Sequence, residues 1–242
     1  MSTDVVQVWL ADARVPETAL PAMFTLLDDE ERRRHASIVH PIDRRRFVVA
    51  HAVTRRITGA ALDAPPQSLS WAYNPNGKPS LAGAHTGVEV NLSHSGDLIM
   101  VAVSPRRPVG VDLQRVVPTL DCAAMARRFY PPAEAAEIAA GGGHERFAEL
   151  WARKESLVKA AGARLTRGLA TPVAGPAPVV VDHDGPFRIV DLDAPEGFRA
   201  AVALAGDAPF TVIQHACSAG KVRASAEDGH ARSPSPGTCQ LR

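Results

Sequence analysis

The sequence has few cysteines, few aromatic residues, no excess of either charge and no long apolar run. Its 242 residues include only three cysteines, Cys122, Cys217 and Cys239, which are widely spaced and odd in number. This pattern argues against a disulfide-stabilised scaffold and against a zinc site of paired cysteines, so a reduced, cytoplasmic environment is expected. Aromatic residues make up 5% of the chain, so the predicted core is mainly aliphatic.

The charges are balanced, with 27 basic and 26 acidic residues and a formal net charge of +1. This balance excludes a chain whose main task is to coat nucleic acid or an acidic membrane by bulk charge. The longest apolar runs, Leu98–Val103 and Ala200–Ala205, are six residues each, which is too short to span a bilayer. We therefore expect neither nucleic acid nor a membrane as a partner.

The apolar fraction of 45% is typical of a globular protein, and the order of predicted elements indicates its class. One helix is predicted near residues 43–57 and another near 145–161, and each precedes several short strands. We interpret this order as an α+β fold, a pseudo-twofold repeat of two similar α+β subdomains. The predicted halves are residues 1–107 and 108–217, and the polar composition of residues 218–242 predicts a disordered tail.

The second predicted helix carries a group of residues that could support chemistry. Trp151, Glu155 and Lys159 are spaced by four and share one face, and Lys154 lies beside them. The simpler interpretation is a solvated surface with a Glu155–Lys159 pair worth about 0.3–0.5 kcal/mol. A carboxylate flanked by two lysines would also suit a site that handles a metal and phosphate.

Polar residues at or between predicted strands are further candidates. Asp112 follows an apolar strand, where it could cap a turn or bind a hard cation such as Mg²⁺. The segment 93–97 is predicted to be a polar turn, which could be a plain hairpin or a loop that binds phosphate. Lys78 follows a strong turn signal, and the arginines at 32–34, 44–46 and 55–56 form either a solvated face or a phosphate-binding patch.

The order of these motifs is more specific than any one of them. A turn lysine is followed by Asn-Leu-Ser-His-Ser-Gly, then Gly-Val-Asp-Leu, then Trp-x-x-Lys-Glu-Ser-x-x-Lys-Ala-x-Gly. In this order the chain closely resembles the 4'-phosphopantetheinyl transferase superfamily. The group it resembles is the longer, monomeric, surfactin-type enzymes that serve peptide and polyketide synthases in secondary metabolism. The resemblance runs from about Asp28 to about Cys217.

The resemblance implies a reaction and a location for the active site. Family members move the phosphopantetheine arm of coenzyme A onto a serine of an acyl- or peptidyl-carrier protein and release adenosine 3',5'-bisphosphate. Their two α+β halves bind coenzyme A in the cleft between them. A Mg²⁺-dependent, cytoplasmic, monomeric enzyme is therefore expected.

The resemblance also implies roles for individual residues. Asp112 and Glu155 would hold Mg²⁺ against the pyrophosphate, and Glu155 is in addition the expected base for the carrier serine. Lys159 would steady the pyrophosphate, with Lys154 nearby. Coenzyme A phosphates would contact side chains of the first half, namely Lys78, Ser93, His94 and, as a further candidate, Arg46. Trp151 would support the site structurally.

Two positions depart from the family pattern. Many relatives carry a second acid where this chain has Gln114, whose neutral oxygen would be a weaker metal ligand. The basic residue after the second helix, Arg164, is shifted by one position, which leaves its role open.

Two other functions fit part of the pattern. A different Mg²⁺ enzyme acting on phosphodiesters, such as a nuclease, would need acids and basic residues too, and would bind nucleic acid. A family member without catalysis could bind coenzyme A or an acidic carrier protein through its arginine-rich helices.

Overall fold

The computed structural model describes residues 4–218 of the chain, so residues 219–242 of the predicted tail lie outside the described range. The strands are β1 Asp4–Asp12, β2 Trp71–Tyr73, β3 Pro79–Leu81, β4 Glu89–Ser95, β5 Leu98–Ser104, β6 Val109–Arg115, β7 Val179–Asp182, β8 Pro186–Leu192, β9 Phe198–Ala205 and β10 Phe210–Ser218. The helices are α1 Leu20–Phe24, α2 Asp29–Ser37, α3 Pro41–Leu62, α4 Cys122–Phe129, α5 Pro132–Glu137, α6 Gly143–Ala161 and α7 Leu165–Leu169. Within the described range, no helix is both long enough and apolar enough to cross a membrane.

Two four-stranded sheets form the centre of the molecule. The first has the order β10-β1-β5-β4 and the second β6-β9-β8-β7, while β2 and β3 form a separate hairpin. Strand β1 pairs with β5 in antiparallel fashion and with β10 in parallel. The last described strand therefore joins the sheet of the first half, and the division at residues 107 and 108 stays a prediction.

Apolar side chains join these elements into layers. Helix α3 packs on one face of the first sheet, and helix α6 packs on one face of the second. The opposite faces of the two sheets meet in a shared layer that includes Val8, Met100, Val111 and Val202. This arrangement confirms the predicted α+β class and its two-part organisation.

Capping residues and a proline define ends of helices α2, α3 and α6. Asp28 caps α2 through a reciprocal capping box with Glu31. Helix α3 is longer than predicted at both ends. It begins at Pro41, because a proline in the first turn costs no hydrogen bond, and it continues to Leu62, after which Asp63 is left-handed. Helix α6 ends at Gly162 in the left-handed conformation, which favours glycine. The short helices α4 and α5 were not predicted.

The predicted polar turn at residues 93–97 is wrong in its extent. Ser93, His94 and Ser95 belong to β4, and only Gly96 and Asp97 form the turn to β5. Ser93 and Ser95 accept hydrogen bonds from the neighbouring strand β6, and His94 lines a pocket between β4, β6 and α6. Their polar side chains therefore do not indicate a turn. Asp112 likewise lies within β6 rather than at its end.

Gly110 brings β6 into direct contact with the backbone of α6. A methyl group at this position would lie 2.1 Å from the carbonyl oxygen of Ser156 and 2.3 Å from the amide nitrogen of Ala160. Because these are helix backbone atoms, the whole helix would have to move. The absence of a side chain at Gly110 therefore determines how closely α6 approaches the strand that carries Asp112.

We expect Gly110→Ala to lower the free energy of unfolding by about 1–3 kcal/mol, the usual cost of overpacking. Gly168→Ala provides the comparison, because its methyl group would lie 1.9 Å from a side-chain carbon of Val158 rather than from backbone. Adding Val158→Ala should relieve the clash in the Gly168 variant, whereas no single truncation should relieve it at Gly110. Chemical denaturation measures all of these variants, and wild-type stability of Gly110→Ala would contradict the close contact.

Candidate active site

A pocket of about 330 Å³ lies where β4, β6 and α6 meet, and we call it the carboxylate pocket. It brings together most of the residues that the sequence singled out. Its lining consists of Leu92, Ser93, His94, Asp112, Leu113, Gln114, Glu155 and Lys159. These residues come from both predicted halves, so the pocket lies between them.

Asp112 and Lys159 form the centre of the carboxylate pocket. The Nζ of Lys159 lies 2.6 Å from Oδ1 of Asp112 and 3.7 Å from Oε2 of Glu155. Ser93 donates a 2.7 Å hydrogen bond from its hydroxyl to the same Oδ1 and accepts a 3.1 Å bond from Lys159. Ser93 and Lys159 thus both contact Oδ1 of Asp112. A buried charge is costly unless it is paired and hydrogen-bonded, and these two contacts supply both.

The second oxygen of Asp112 is available for a further interaction. Oδ2 is buried and has no hydrogen-bond partner among residues 4–218. An unpaired buried carboxylate oxygen is costly, and a bound cation would remove that cost. The donor set of two carboxylates fits a hard cation such as Mg²⁺, which takes its remaining ligands from water and phosphate. Among the described residues, no cluster of three or more histidine, cysteine or acidic side chains forms a complete metal site.

Glu155 faces the same pocket from helix α6. Burial raises the pKa of Glu155 above its ordinary value, and the neighbouring charge of Asp112 raises it further. Lys159 and a hydrogen bond from Trp151 act in the opposite direction and lower it. Trp151 packs against Phe147 in the core formed by α4, α5, α6 and the second sheet, so it supports the helix that carries Glu155.

Gln114 lies at the rim of the carboxylate pocket. Its amide nitrogen donates a 3.0 Å hydrogen bond to the carbonyl oxygen of Arg115. The amide oxygen is therefore the atom that remains for a ligand. A neutral oxygen at this position binds a cation more weakly than a carboxylate would.

His94 connects the carboxylate pocket to a second pocket of about 300 Å³. Both pockets share Leu92 and His94, and the second is also lined by Arg34 and Tyr73 from the first half. Burial lowers the pKa of His94, and the charges of Lys159 and Arg46 lower it further. Arg46 is exposed, and its Nη1 lies 3.4 Å from Oδ1 of Asp43. Arg46 lines neither pocket, but its charge affects His94.

Lys78 does not line the carboxylate pocket but joins the two halves at the end of α6. Its Nζ donates a 2.7 Å hydrogen bond to the carbonyl oxygen of Ala160 and lies 3.3 Å from Oε2 of Glu89. Asn74 and Asn76, in the same turn, donate hydrogen bonds to the carbonyl oxygen of Gly162. These bonds satisfy carbonyl groups that a helix end leaves without partners. Burial lowers the pKa of Lys78, while Glu89 raises it.

Lys154 is placed away from the carboxylate pocket, which corrects the prediction that it lies near the pyrophosphate of coenzyme A. Its side chain is 0% exposed and lies beside the core formed by α4, α5, α6 and the second sheet. There its Nζ is 2.6 Å from Oε2 of Glu134. The same amine donates a 2.6 Å hydrogen bond to the carbonyl oxygen of Thr171 and lies 4.8 Å from the ring centre of Tyr130. Because Lys154 is one residue before Glu155, it projects about 100° away around the helix.

Two buried polar residues, Glu134 in the core and Asn91 beside Asp112, were not predicted. Glu134 anchors the loop after α7 by accepting hydrogen bonds from the amides of Val173 and Ala174. Asn91 accepts a hydrogen bond from the amide of Val111, next to Asp112. Its place two residues before Ser93, on the same side of the strand, is the signal that could have identified it. Arg164 lines a separate surface pocket near the end of α6.

Comparison with known proteins yields two family matches that together span most of the described chain. Residues 108–213 match the model of the 4'-phosphopantetheinyl transferase superfamily. Residues 15–106 match the model of the N-terminal region of 4'-phosphopantetheinyl transferase. The first match contains Asp112, Glu155 and Lys159, and the second contains Ser93 and His94.

Individual relatives agree with these matches. A Synechocystis protein with the provisional name 4'-phosphopantetheinyl transferase is 32% identical over 167 residues, which cover 67% of this chain and 67% of the relative. The 4'-phosphopantetheinyl transferase HetI of Nostoc is 29% identical over 211 residues, which cover 84% of this chain and 89% of HetI. The 4'-phosphopantetheinyl transferase Sfp of Bacillus subtilis is 26% identical over 157 residues, covering 62% of this chain and 65% of Sfp.

Proposed function

Since the chain belongs to the 4'-phosphopantetheinyl transferase superfamily, we propose that it transfers the phosphopantetheine arm of coenzyme A to a serine of an acyl- or peptidyl-carrier protein. Adenosine 3',5'-bisphosphate is the second product. The observation that supports this proposal most directly is the carboxylate pocket, where Asp112, Glu155 and Lys159 converge between the halves. Phosphoryl transfer needs chiefly positioning and charge neutralisation, which two carboxylates and a lysine supply when a metal is bound.

We propose that Mg²⁺ binds at Asp112 and Glu155, with Gln114 as a weaker ligand. The unpaired Oδ2 of Asp112 and the raised pKa of Glu155 both fit a cation between them. When bound, Mg²⁺ would neutralise charge on the pyrophosphate of coenzyme A. Two protein ligands leave room for phosphate oxygens and water, as Mg²⁺ sites commonly do.

Glu155 is the proposed base. The serine oxygen of the carrier attacks the phosphorus that bears the pantetheine arm, and the bond from this phosphorus to the departing adenosine 3',5'-bisphosphate oxygen breaks. Glu155 takes the serine proton, either directly or through water. Burial raises the pKa of Glu155, which makes its carboxylate a stronger proton acceptor than that of an exposed glutamate.

Coenzyme A is long enough to need both pockets. Lys159 and Ser93 would contact the pyrophosphate in the carboxylate pocket, and His94 lies where the two pockets meet. The positive charge of Arg46 near His94 favours a further phosphate group there. Lys78 contacts Ala160 and Glu89, so it would support coenzyme A binding indirectly, by holding the end of α6 in place.

Membership in the surfactin-type group, the monomeric state and the cytoplasmic location are further parts of the proposal. One chain here contains both sides of the pocket, so a second copy is not needed to complete it. The favoured partner is a carrier of a peptide or polyketide synthase. The two other functions, a different phosphodiester enzyme and a binding module without catalysis, stay as outcomes of the test.

The test is intact-mass spectrometry of an apo carrier protein incubated with this protein, coenzyme A and Mg²⁺. We expect the carrier to gain the mass of one phosphopantetheine arm, and we expect a chelator to prevent that gain. No gain with either acyl- or peptidyl-carriers, combined with measurable binding of coenzyme A, would favour the binding module. Binding of nucleic acid in place of coenzyme A would favour the other phosphodiester enzyme.

A further inference from the structure

Two edge strands from different sheets lie side by side beneath the carboxylate pocket. Strand β4 ends the first sheet and strand β6 ends the second, and no backbone ladder joins them among the described strands. Instead, three side chains of β4 accept hydrogen bonds from backbone amides of β6. The pairs are Asn91 Oδ1 with Val111 at 3.0 Å, Ser93 Oγ with Leu113 at 3.3 Å, and Ser95 Oγ with Arg115 at 3.1 Å.

These three bonds form a regular series, which we call the β4–β6 seam. Each partner lies 20 residues after its acceptor, so the two strands run parallel. The acceptors alternate along β4 and the donors alternate along β6, as side chains and amides on one side of a strand do. Edge strands present backbone donors that need partners, and the seam satisfies three of them. The bonds of Asn91 and Ser93 are buried, and that of Ser95 is exposed.

The seam restrains β6 along its free edge, and helix α6 packs against one face of the same strand. Asp112 lies between Val111 and Leu113, the two residues whose amides donate to Asn91 and Ser93. On the helix side, Gly110 leaves no space for even a methyl group. The backbone that carries the Asp112 carboxylate is therefore restrained along one edge by β4 and from one face by α6.

We propose that Asn91 and Ser95 are positioning residues for Asp112 and act on its carboxylate through the backbone of β6. The inference rests on the proposed function, in which Asp112 binds Mg²⁺ for phosphopantetheine transfer. Ser93 is a different case because it also touches Asp112 and Lys159 directly. Ser95 lines neither pocket, and its side chain accepts a hydrogen bond from the amide of Arg115 in β6, which links it to the strand of Asp112.

Precise placement matters here because the protein offers few metal ligands. Residues that orient metal ligands without touching the metal typically affect metal affinity or activity by 10- to 100-fold when changed. Ser95 binds the amide of Arg115, three residues from Asp112, whereas Asn91 binds the adjacent amide of Val111, so Asn91 should have the larger effect. We expect losses of about tenfold for Ser95 and more for Asn91.

The experiment compares Ser95→Ala and Asn91→Leu, which remove the acceptors, with Ser95→Thr, which keeps a hydroxyl. Amide hydrogen exchange at residues 111 and 115 shows whether each seam bond is lost. A Mg²⁺ titration followed by the amide shifts of residues 111–115 measures metal affinity without any substrate. The kcat for carrier modification is measured at saturating coenzyme A, because Asn91 also lines the second pocket.

We expect faster exchange, weaker Mg²⁺ binding and lower kcat in both removal variants, with recovery in Ser95→Thr. Wild-type Mg²⁺ affinity and kcat in both removal variants would overturn the proposal. So would an equal loss in Ser95→Thr, or a wild-type protein that does not bind Mg²⁺ at residues 111–115. If the variants lose Mg²⁺ affinity as expected but the wild type modifies no carrier, the positioning role stands and the proposed function fails.

Discussion

We expect Glu155→Gln to lower kcat for carrier modification by about 10²- to 10⁴-fold, the usual contribution of a general base. Glutamine has nearly the same shape as glutamate, but it cannot accept the serine proton and is a poorer ligand for Mg²⁺. The measurement is single-turnover modification of an apo carrier at saturating coenzyme A and Mg²⁺.

The fold of this variant should be retained, and the physical reason is the direction of the pKa shift. Burial and Asp112 raise the pKa of Glu155, so its ionised form is less favourable in the folded protein than in the unfolded chain. Replacing it with a neutral amide removes this cost, so the melting temperature should stay the same or rise. Loss of activity with an unchanged or higher melting temperature therefore separates chemistry from unfolding.

The matched control is Glu145→Gln, in the first turn of the same helix. Glu145 is exposed and pairs only with Arg199 among the described residues, at 2.6 Å. This surface pair is worth about 0–1 kcal/mol, so its removal should leave both kcat and stability near wild type. A kcat within a few-fold of wild type in Glu155→Gln would remove Glu155 from the proposed mechanism.

The second large effect is expected from Lys154→Met, which should lower the free energy of unfolding by about 3–5 kcal/mol. The substitution leaves Glu134 as a buried carboxylate without its cation, since Glu134 is 2% exposed. Methionine fills a similar volume, so the loss would come from the unpaired charge rather than from a cavity. Urea denaturation followed by circular dichroism measures this change.

A second substitution in the same background tests the cause. Glu134→Gln removes the unpaired charge but can keep the oxygen that accepts hydrogen bonds from Val173 and Ala174. The double variant Lys154→Met/Glu134→Gln should therefore recover much of the lost stability. Arg167→Met is the control, because it breaks an exposed ion pair with Asp184 and should cost less than about 1 kcal/mol. A Lys154→Met variant as stable as the control would contradict the buried pair.

Local patterns in the sequence were sufficient for the α+β class and for several element boundaries. The helix predicted near 145–161 is α6, and Gly162 directly follows its last residue, Ala161. The spacing of Glu155 and Lys159 placed both on one face of a helix, and the structure places both in the carboxylate pocket. These features depend on residues within a few positions of one another, so they can be read without the fold.

Only the tertiary structure decided the roles of the polar residues that have distant partners. Lys154 and Glu155 are neighbours in sequence, yet one lies in the core with Glu134 and the other lies in the pocket with Asp112. Segment 93–95 has the composition of a turn but forms a strand that pairs with β5, and its two serines accept hydrogen bonds from β6, 20 residues away. Periodicity and turn chemistry describe the local chain, whereas the burial of a charge and the pairing of an edge strand depend on which distant residue packs against it.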